Sequence, residues 1–467
     1  MKQYIFPKAI VAAPREGNGC SLLKRKSLQI GLAEHDVATL QQGQYVILDF
    51  GTEICGGVRI LTFHGANVPV RIRFGESLTE CCAELGGAQN ATNDHSLRDL
   101  TVHLQNYADM SFGQTGFRFV RLDFGGTVTL KSVVAESYLL KKPLKYAYQG
   151  EDATVKRIFE VAKHTVDLCA SRGYAWDGIK RDRLVWIGDM HPEMLALTTL
   201  YGRLAEIERS LDFVKEQTPL PGFMNGFPTY SMWWIIIVAD YYERTGATAF
   251  AERQLPYLID LLALMDTYVS ADGTMHYPAY FVDWPTRGKP DELLGARAIH
   301  IMAVKRAIAL LRAFDKPTEM AEALLKRLLL IGIYPESSKQ VLGLKYAALG
   351  KLTDKEKEML LSGGAKGLST FMSYYILSAI ASFDKAAAQR IMKDYYSAML
   401  NKGATAFWED FDTAWCEGSC RIDALPSPGE KDIHGDYGAH CYRGFRHSLC
   451  HGWSAGVISF IKETYEK

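Results

Sequence analysis

Neither sign of charge is in excess along this chain of 467 residues: 53 Lys and Arg balance 53 Asp and Glu. A phosphate-binding surface leaves a surplus of Lys and Arg, so the balance argues against nucleic acid as a partner. A neutral sugar or glycoside suits such a chain better. Long apolar runs are missing as well. The longest, Met232 to Ala239 in SMWWIIIVAD, falls far short of the about 20 residues of a membrane span, so no membrane partner is expected. The start, MKQYIFPKAIVAAP, lacks an apolar core long enough for a secretory signal. The expectation is a cytoplasmic protein; a periplasmic chain whose leader had been removed would read the same. The nine cysteines are odd in number and scattered, with Cys81 and Cys82 adjacent. No disulfide framework is readable, and reduced thiols are the simpler reading. No repeat of fixed period is visible either. Oligomeric state leaves no trace in the sequence, and a homodimer is one admissible assembly.

What is present is the composition of a globular protein, 48% hydrophobic and 23% charged, in a chain too long for one ordinary core. Up to about residue 145 the pattern is β. Tyr45 to Phe50, Val58 to Phe63, Val68 to Phe74 and Phe117 to Phe124 are short, rich in β-branched and aromatic residues, and bounded by Gly-rich or polar turns. Several such strands suggest a sandwich. The polar loop 79–96 is either mobile or reaches toward the second half. After Lys141-Lys142-Pro143 the period changes. Val155, Ile158, Phe159, Ala162, Val166 and Cys169 line one face of a helix. Similar segments recur near 194–216, 229–245, 248–269, 292–314, 318–332, 370–383, 386–400 and 448–465. Roughly ten to twelve paired helices admit an α/α toroid or an α-solenoid, and the absence of a strict repeat weakens the solenoid. The expected organisation is 1–145 as a β-domain and 146–467 as a helical catalytic domain.

Two stretches carry chemistry. The first, WDGIKRDRLVWIGDMHPE, sets Asp177, Asp182, Asp189 and Glu193 among Arg181, Arg183, Trp176 and Trp186. Pro192 predicts that a helix begins near His191-Pro192-Glu193, so Asp177 to Asp189 precede it as a loop. If Arg181 to Gly188 form a turn or two, Asp182 and Trp186 share a face. On spacing alone, a solvated charged loop anchored by two tryptophans explains the stretch equally well. The second stretch, Gly403 to Glu409 (GATAFWE), also joins helical segments and also pairs Trp with acid. Two acidic clusters beside Trp fit a glycosidase, with carboxylates as acid and base and aromatic rings against sugar faces.

These stretches resemble the signatures of the bacterial α-L-rhamnosidases of glycoside hydrolase family 78. That family carries an Asp-Cys-Pro-Gln-Arg-Asp-Glu-Arg-Leu-Gly-Trp-like motif ending in Gly-Asp, then Gly-Ala-Thr-Thr-x-Trp-Glu, then Ser-Leu-x-His. This chain has Asp177 to Asp189, Gly403 to Glu409, and Ser448-Leu449-Cys450-His451 in the same order. Leu48 to Gly51, Arg73-Phe74-Gly75-Glu76 and Gly116 to Val120 are similar to the family's β-sandwich. The likeness covers nearly the whole chain. It implies a multidomain β + α protein, an N-terminal β-sandwich followed by an (α/α)6 barrel, of the shorter two-domain type.

The resemblance also implies roles. The family is inverting, so one carboxylic acid protonates the leaving oxygen while a carboxylate on the opposite face activates water. The matching positions are Asp182 for the acid and Glu409 for the base. Aspartate stands at 182 where glutamate is more usual, and the motif is one residue shorter, so Asp177 and Asp189 remain alternatives for the acid. Asp177, Arg181 and Asp189 match positions that hold sugar hydroxyls, and Trp186 matches an aromatic of the same pocket. Arg181 is expected to pair with Asp177 or a hydroxyl rather than with Asp182. Phe281-Val282-Asp283-Trp284 is similar to a Gly-Asp-Trp element, which adds Asp283 and Trp284, the latter equally readable as core. His451 matches the Ser-Leu-x-His histidine. Glu193 is left to the first turn of a helix, where its negative charge favours the dipole. Cys416, Cys420, His434, His440, Cys441, His447, Cys450 and His451 crowd the end, but their spacings fit no standard zinc pattern, and the resemblance implies no metal or cofactor. Two other readings stay open: a non-hydrolytic rhamnoside-binding protein on the same scaffold, and an (α/α)6 glycosidase for another terminal sugar.

Overall fold

A computed structural model describes residues 2–86, 96–438 and 443–466. The first part holds eight strands: β1 (Lys2–Ile5), β2 (Ala9–Ala12), β3 (Ala38–Leu40), β4 (Tyr45–His64), β5 (Val68–Gly75), β6 (Asp99–Leu104), β7 (Ala108–Phe124) and β8 (Val128–Tyr138), with one short helix, α1 (Leu78–Cys82). They form one antiparallel sheet in the order β1-β8-β4-β7-β5-β6, with β2 added on β4 and β3 on β8. Two separate sheets were the simplest expectation. The single sheet arises because β4 and β7 are long enough to pair along two stretches, Tyr45 to Asp49 and Ile54 to Thr62 of β4, with register shifts between them. Such irregularities bend a strand and increase its twist. Leu40, Leu48, Ile60, Val70, Val120 and Val133 then meet in one apolar core.

Twelve helices follow among the described residues: α2 (Ala153–Cys169), α3 (Met190–Tyr201), α4 (Ala205–Gln217), α5 (Pro228–Thr245), α6 (Thr248–Thr267), α7 (Asp291–Ala313), α8 (Glu319–Leu328), α9 (Lys339–Leu349), α10 (Asp354–Leu361), α11 (Ser373–Ala381), α12 (Lys385–Asn401) and α13 (Val457–Tyr465). The apolar stripe read from Val155 to Cys169 is the buried face of α2, capped by Asp152, which accepts from the Thr154 and Val155 amides. The segment expected as one helix over 194–216 is two. Gly202 at φ 74° ends α3, a conformation open to glycine at little cost. The run Met232 to Ala239 is the middle of α5 and is buried all round, as in a helix at the centre of a large core. No helix among the described residues is long and apolar enough to cross a membrane.

The odd-numbered helices pack in sequence. α3 lies on α5, α5 on α7, α7 on α9, α9 on α11, α11 on α13, and α13 returns to α3. Helices α6, α8, α10 and α12 pack against odd-numbered neighbours. The β-sheet unit docks on the segment that leads into α3. The Arg183 guanidinium donates to the Gln114 carbonyl of β7, and Arg118 of β7 donates to the Gly403 carbonyl. A Cβ on Gly116 would stand 2.8 Å from Ile179 and from the Lys180 amide, so this approach needs glycine at 116.

Candidate active site

Apart from Glu409, which follows α12, and Glu193 within α3, the main site residues singled out by sequence lie in segments that lead into odd-numbered helices. Asp177 to Asp189 run into α3, Asp283 precedes α7, and His451 precedes α13. Each segment is shaped locally. Asp177 closes its own loop: its amide donates to the Leu184 carbonyl and its Oδ1 accepts from the Leu184 amide at 2.9 Å. Its carbonyl accepts from the Gly452 amide at 2.7 Å, which ties this loop to the one carrying His451. Residues 181–188 form no helix, so Asp182 and Trp186 do not share a helical face. Arg183 sits at φ 55°, outside right-handed helical geometry, and breaks any turn there. The helix starts at Met190, close to where Pro192 placed it.

Glu409 is fixed at both ends. Its amide donates to the Ser448 carbonyl at 2.9 Å. Its carbonyl accepts from Thr370 Oγ1 at 2.5 Å and from Trp453 Nε1 at 2.9 Å. The side chain is 1% exposed. Its Oε2 accepts from Arg181 Nη2 at 2.5 Å and from the Ser448 amide at 3.0 Å. Its Oε1 has no hydrogen-bond partner among the described residues, and His451 Nε2 is 3.7 Å away.

Arg181 meets Glu409 and Asp182, where the sequence points to Asp177 or a sugar hydroxyl rather than to Asp182. Its guanidinium joins Glu409 to Asp182, whose Oδ1 is 3.4 Å from Nη1, and its Nε donates to the Arg446 carbonyl. The Asp182 side chain stays 26% exposed, so Trp186 does not seal it. That ring meets Tyr230 edge to face at 6.1 Å, and the Tyr230 hydroxyl donates to Asp189 Oδ1 at 2.7 Å. Gly188 makes room for this: a Cβ there would lie 2.2 Å from the Tyr230 ring. His451 stands between the two acids, with Nε2 3.9 Å from Asp189 Oδ2, and packs on Trp453 at 4.1 Å. Asp283 accepts from Ser369 Oγ and from the Trp284 amide. Trp284 is half-buried against Phe281, with ring centroids 5.0 Å apart.

Burial sets the protonation of this cluster. It pushes the Asp177, Asp189 and Glu193 carboxyls well above the usual range, and neighbouring carboxylates reinforce the shift. Asp283 is pushed up to about 7 by burial, with Asp410 adding to it. His451 is held neutral by burial and by Arg181. Glu193 lies in the first turn of α3, as expected, but it is 1% exposed, and burial with the nearby Asp177 and Asp189 pushes its carboxyl up.

Of the Cys and His residues that crowd 416–451, His440 and Cys441 lie outside the described residues. Among the described residues, the group able to converge on a metal ion is Glu76, Glu80 and His434. The Lys180 ammonium already lies 3.2 Å from Glu76 and 3.1 Å from Glu80, so an internal cation takes the place an ion would need. A cavity of about 420 Å³ lined by His191, Asp240, Arg244, Arg306, Tyr374 and Tyr375 contains neither Asp182 nor Glu409.

Sequence reasoning missed Tyr230, Trp453 and the Ser448 amide. Tyr230 is hidden at the front of an apolar run, and backbone donors leave no mark in side-chain identity. Glu76 was noticed only as part of a strand motif.

No protein-family model and no curated protein matches the sequence. Solved structures do match in fold. A rhamnosidase from Klebsiella oxytoca with rhamnose bound superposes with a TM-score of 0.76 at 19% identity, over 100% of this chain and 96% of its own. A family 78 rhamnosidase of Bacillus sp. GL1 gives 0.71 at 19% identity, over 97% of this chain and 48% of its own. An α-L-rhamnosidase from Aspergillus terreus gives 0.66 at 16% identity, over 92% and 53%. The chain thus spans nearly all of the Klebsiella protein and about half of the other two. It has the fold of the family 78 α-L-rhamnosidases.

Proposed function

We propose that this protein is an inverting exo-glycosidase that releases terminal α-L-rhamnose, with Asp182 as general acid and Glu409 as general base. The Glu409 carboxylate carries the reading. Arg181 and the Ser448 amide fix one oxygen, and the other is buried without a partner among the described residues. That arrangement suits a base which must stay ionised and take a proton from one positioned water. Asp182 reaches the same guanidinium. Both carboxyls therefore face one cation, at 2.5 Å for Glu409 and 3.4 Å for Asp182, and an inverting pair stands about 6.5–9.5 Å apart. Around them, Asp177, Arg181, Asp189, Asp283 and His451 supply polar contacts to the sugar, while Trp186 and Trp284 supply apolar walls. The cyclic packing of the odd-numbered helices supports an (α/α)6 barrel over 146–467, after a β-sandwich unit over 1–145. The bound rhamnose of the Klebsiella protein supports rhamnose as the glycone.

The test is hydrolysis of an aryl α-L-rhamnoside followed by NMR. Turnover with β-rhamnose as the first product is expected. No turnover, or α-rhamnose appearing first, would overturn the reading.

One observation favours a second assignment of the acid. Asp189 is buried, which pushes its carboxyl well above the usual range, and it is oriented by the Tyr230 hydroxyl. Substrates with poor and good leaving groups separate the two, because only the true acid becomes dispensable when the leaving group needs no proton.

A further inference from the structure

The β-sheet unit reaches the hydrolytic site through one buried side chain. Glu76 follows β5 and is fully buried. Its Oε1 accepts from Ser448 Oγ at 3.1 Å, and its Oε2 accepts from the Leu449 amide at 2.5 Å. Lys180, next to Arg181, places its ammonium 3.2 Å from the same Oε2. That ammonium also donates to the Phe445 and His447 carbonyls at 2.6 Å each and meets Glu80 at 3.1 Å. Glu80 in turn accepts from the Glu76 amide at 2.8 Å.

A second strut runs in parallel. Ser77 Oγ bonds His434 Nδ1 at 2.7 Å, and His434 Nε2 bonds the His447 carbonyl at 2.8 Å. His447 Nε2 accepts from the Asp410 amide at 3.0 Å, beside Glu409. Segment 445–451 is not helical apart from one 3-10 turn at its start, so its shape depends on these contacts. It presents the Ser448 amide to Glu409 Oε2 and the His451 ring to Glu409 Oε1.

We propose that Glu76 is a positioning residue for the reaction. Together with Lys180 it holds segment 445–451, and so the Ser448 amide, where Glu409 requires it. The proposal rests on the hydrolytic reading of the site. A displacement of about 1 Å in a group of this kind costs up to about 100-fold in rate, and a buried charge left without its partner destabilises what it held. Glu76→Gln keeps the shape but removes the charge that faces Lys180 and replaces one acceptor oxygen with a donor.

The experiment has two readouts. On an aryl α-L-rhamnoside, E76Q is expected to lower kcat about 10- to 100-fold with KM changed less than about twofold. In hydrogen–deuterium exchange by mass spectrometry, E76Q is expected to speed exchange across 445–451 by about tenfold or more, while the α5 and α7 peptides stay at wild type. E84Q serves as the control: Glu84 belongs to the same unit, pairs with Arg71 and Arg73, and should leave both readouts unchanged. If E76Q does not fold, the E76Q/K180M double variant removes the ammonium that faced the lost charge and is measured in the same way. Unchanged kcat per folded molecule together with unchanged exchange across 445–451 overturns the proposal. Should the wild type prove inactive on rhamnosides, the proposed function falls, and the exchange data alone decide whether Glu76 holds the segment.

Discussion

Two acidic segments meet at this site, and they deal with burial in opposite ways. In the segment 403–411 the Glu409 carboxylate is met by an arginine and a backbone amide. In the segment 177–193 burial pushes the Asp177, Asp189 and Glu193 carboxyls well above the usual range. Asp182 stays partly open to solvent. Burying a carboxyl requires either compensating donors or a proton.

The contrast can be broken at several points. The largest effect is expected at its compensated end. Glu409→Gln should lower kcat about 10³-fold or more on any aryl rhamnoside, since an amide cannot take the proton from water. Full turnover by that variant would remove Glu409 from the chemistry. Next come the candidate acids. Asp182→Asn should cost about 100-fold with a poor leaving group and far less with dinitrophenolate, whereas Asp189→Asn should cost the same with both. The reverse pattern would transfer the acid to Asp189.

Smaller effects test the protonated side. Asp283 has a folded pKa of about 7, raised above its unfolded value. The stability it contributes is full below about pH 4 and is lost as pH rises through 7. Wild-type stability should therefore decline from pH 5 to pH 8 by more than that of Asp283→Asn, with the difference at most roughly 3 kcal/mol. Equal declines in unfolding free energy for the two proteins, from denaturant titrations at the two pH values, would refute the shift. The smallest effect is expected for Glu193→Gln. An amide resembles a protonated carboxyl, so stability at pH 5 should change by less than about 1 kcal/mol. A much larger loss would mean that Glu193 carries charge.

Much of the helical half was legible because amphipathic helices advertise their buried face. The stripe from Val155 to Cys169 and the segments 228–245, 248–267 and 291–313 lie where the period of the pattern puts them. Helices α9 and α10 were not legible. α9 buries Lys339, Gln340 and Lys345 along with its apolar residues, so its pattern is not one-sided, and α10 is short and largely polar. At the site, the residue types and their order along the chain were readable. For Arg181 the sequence offered only near neighbours and a sugar hydroxyl; besides the adjacent Asp182 it meets Glu409, which lies 228 positions away.

By itself the sequence determined which residues carry ionisable and aromatic groups, where strands give way to helices, and that acids flank tryptophans in two separate stretches. These are local properties, set by residue chemistry and the period of the backbone. How each of those acids is surrounded was decided only by the tertiary structure, because that depends on how many donors the fold delivers to each buried oxygen. For Glu409 the donors are an arginine from one loop and a backbone amide from another, and that second loop donates in turn to the buried Glu76 carboxylate of the β-sheet unit.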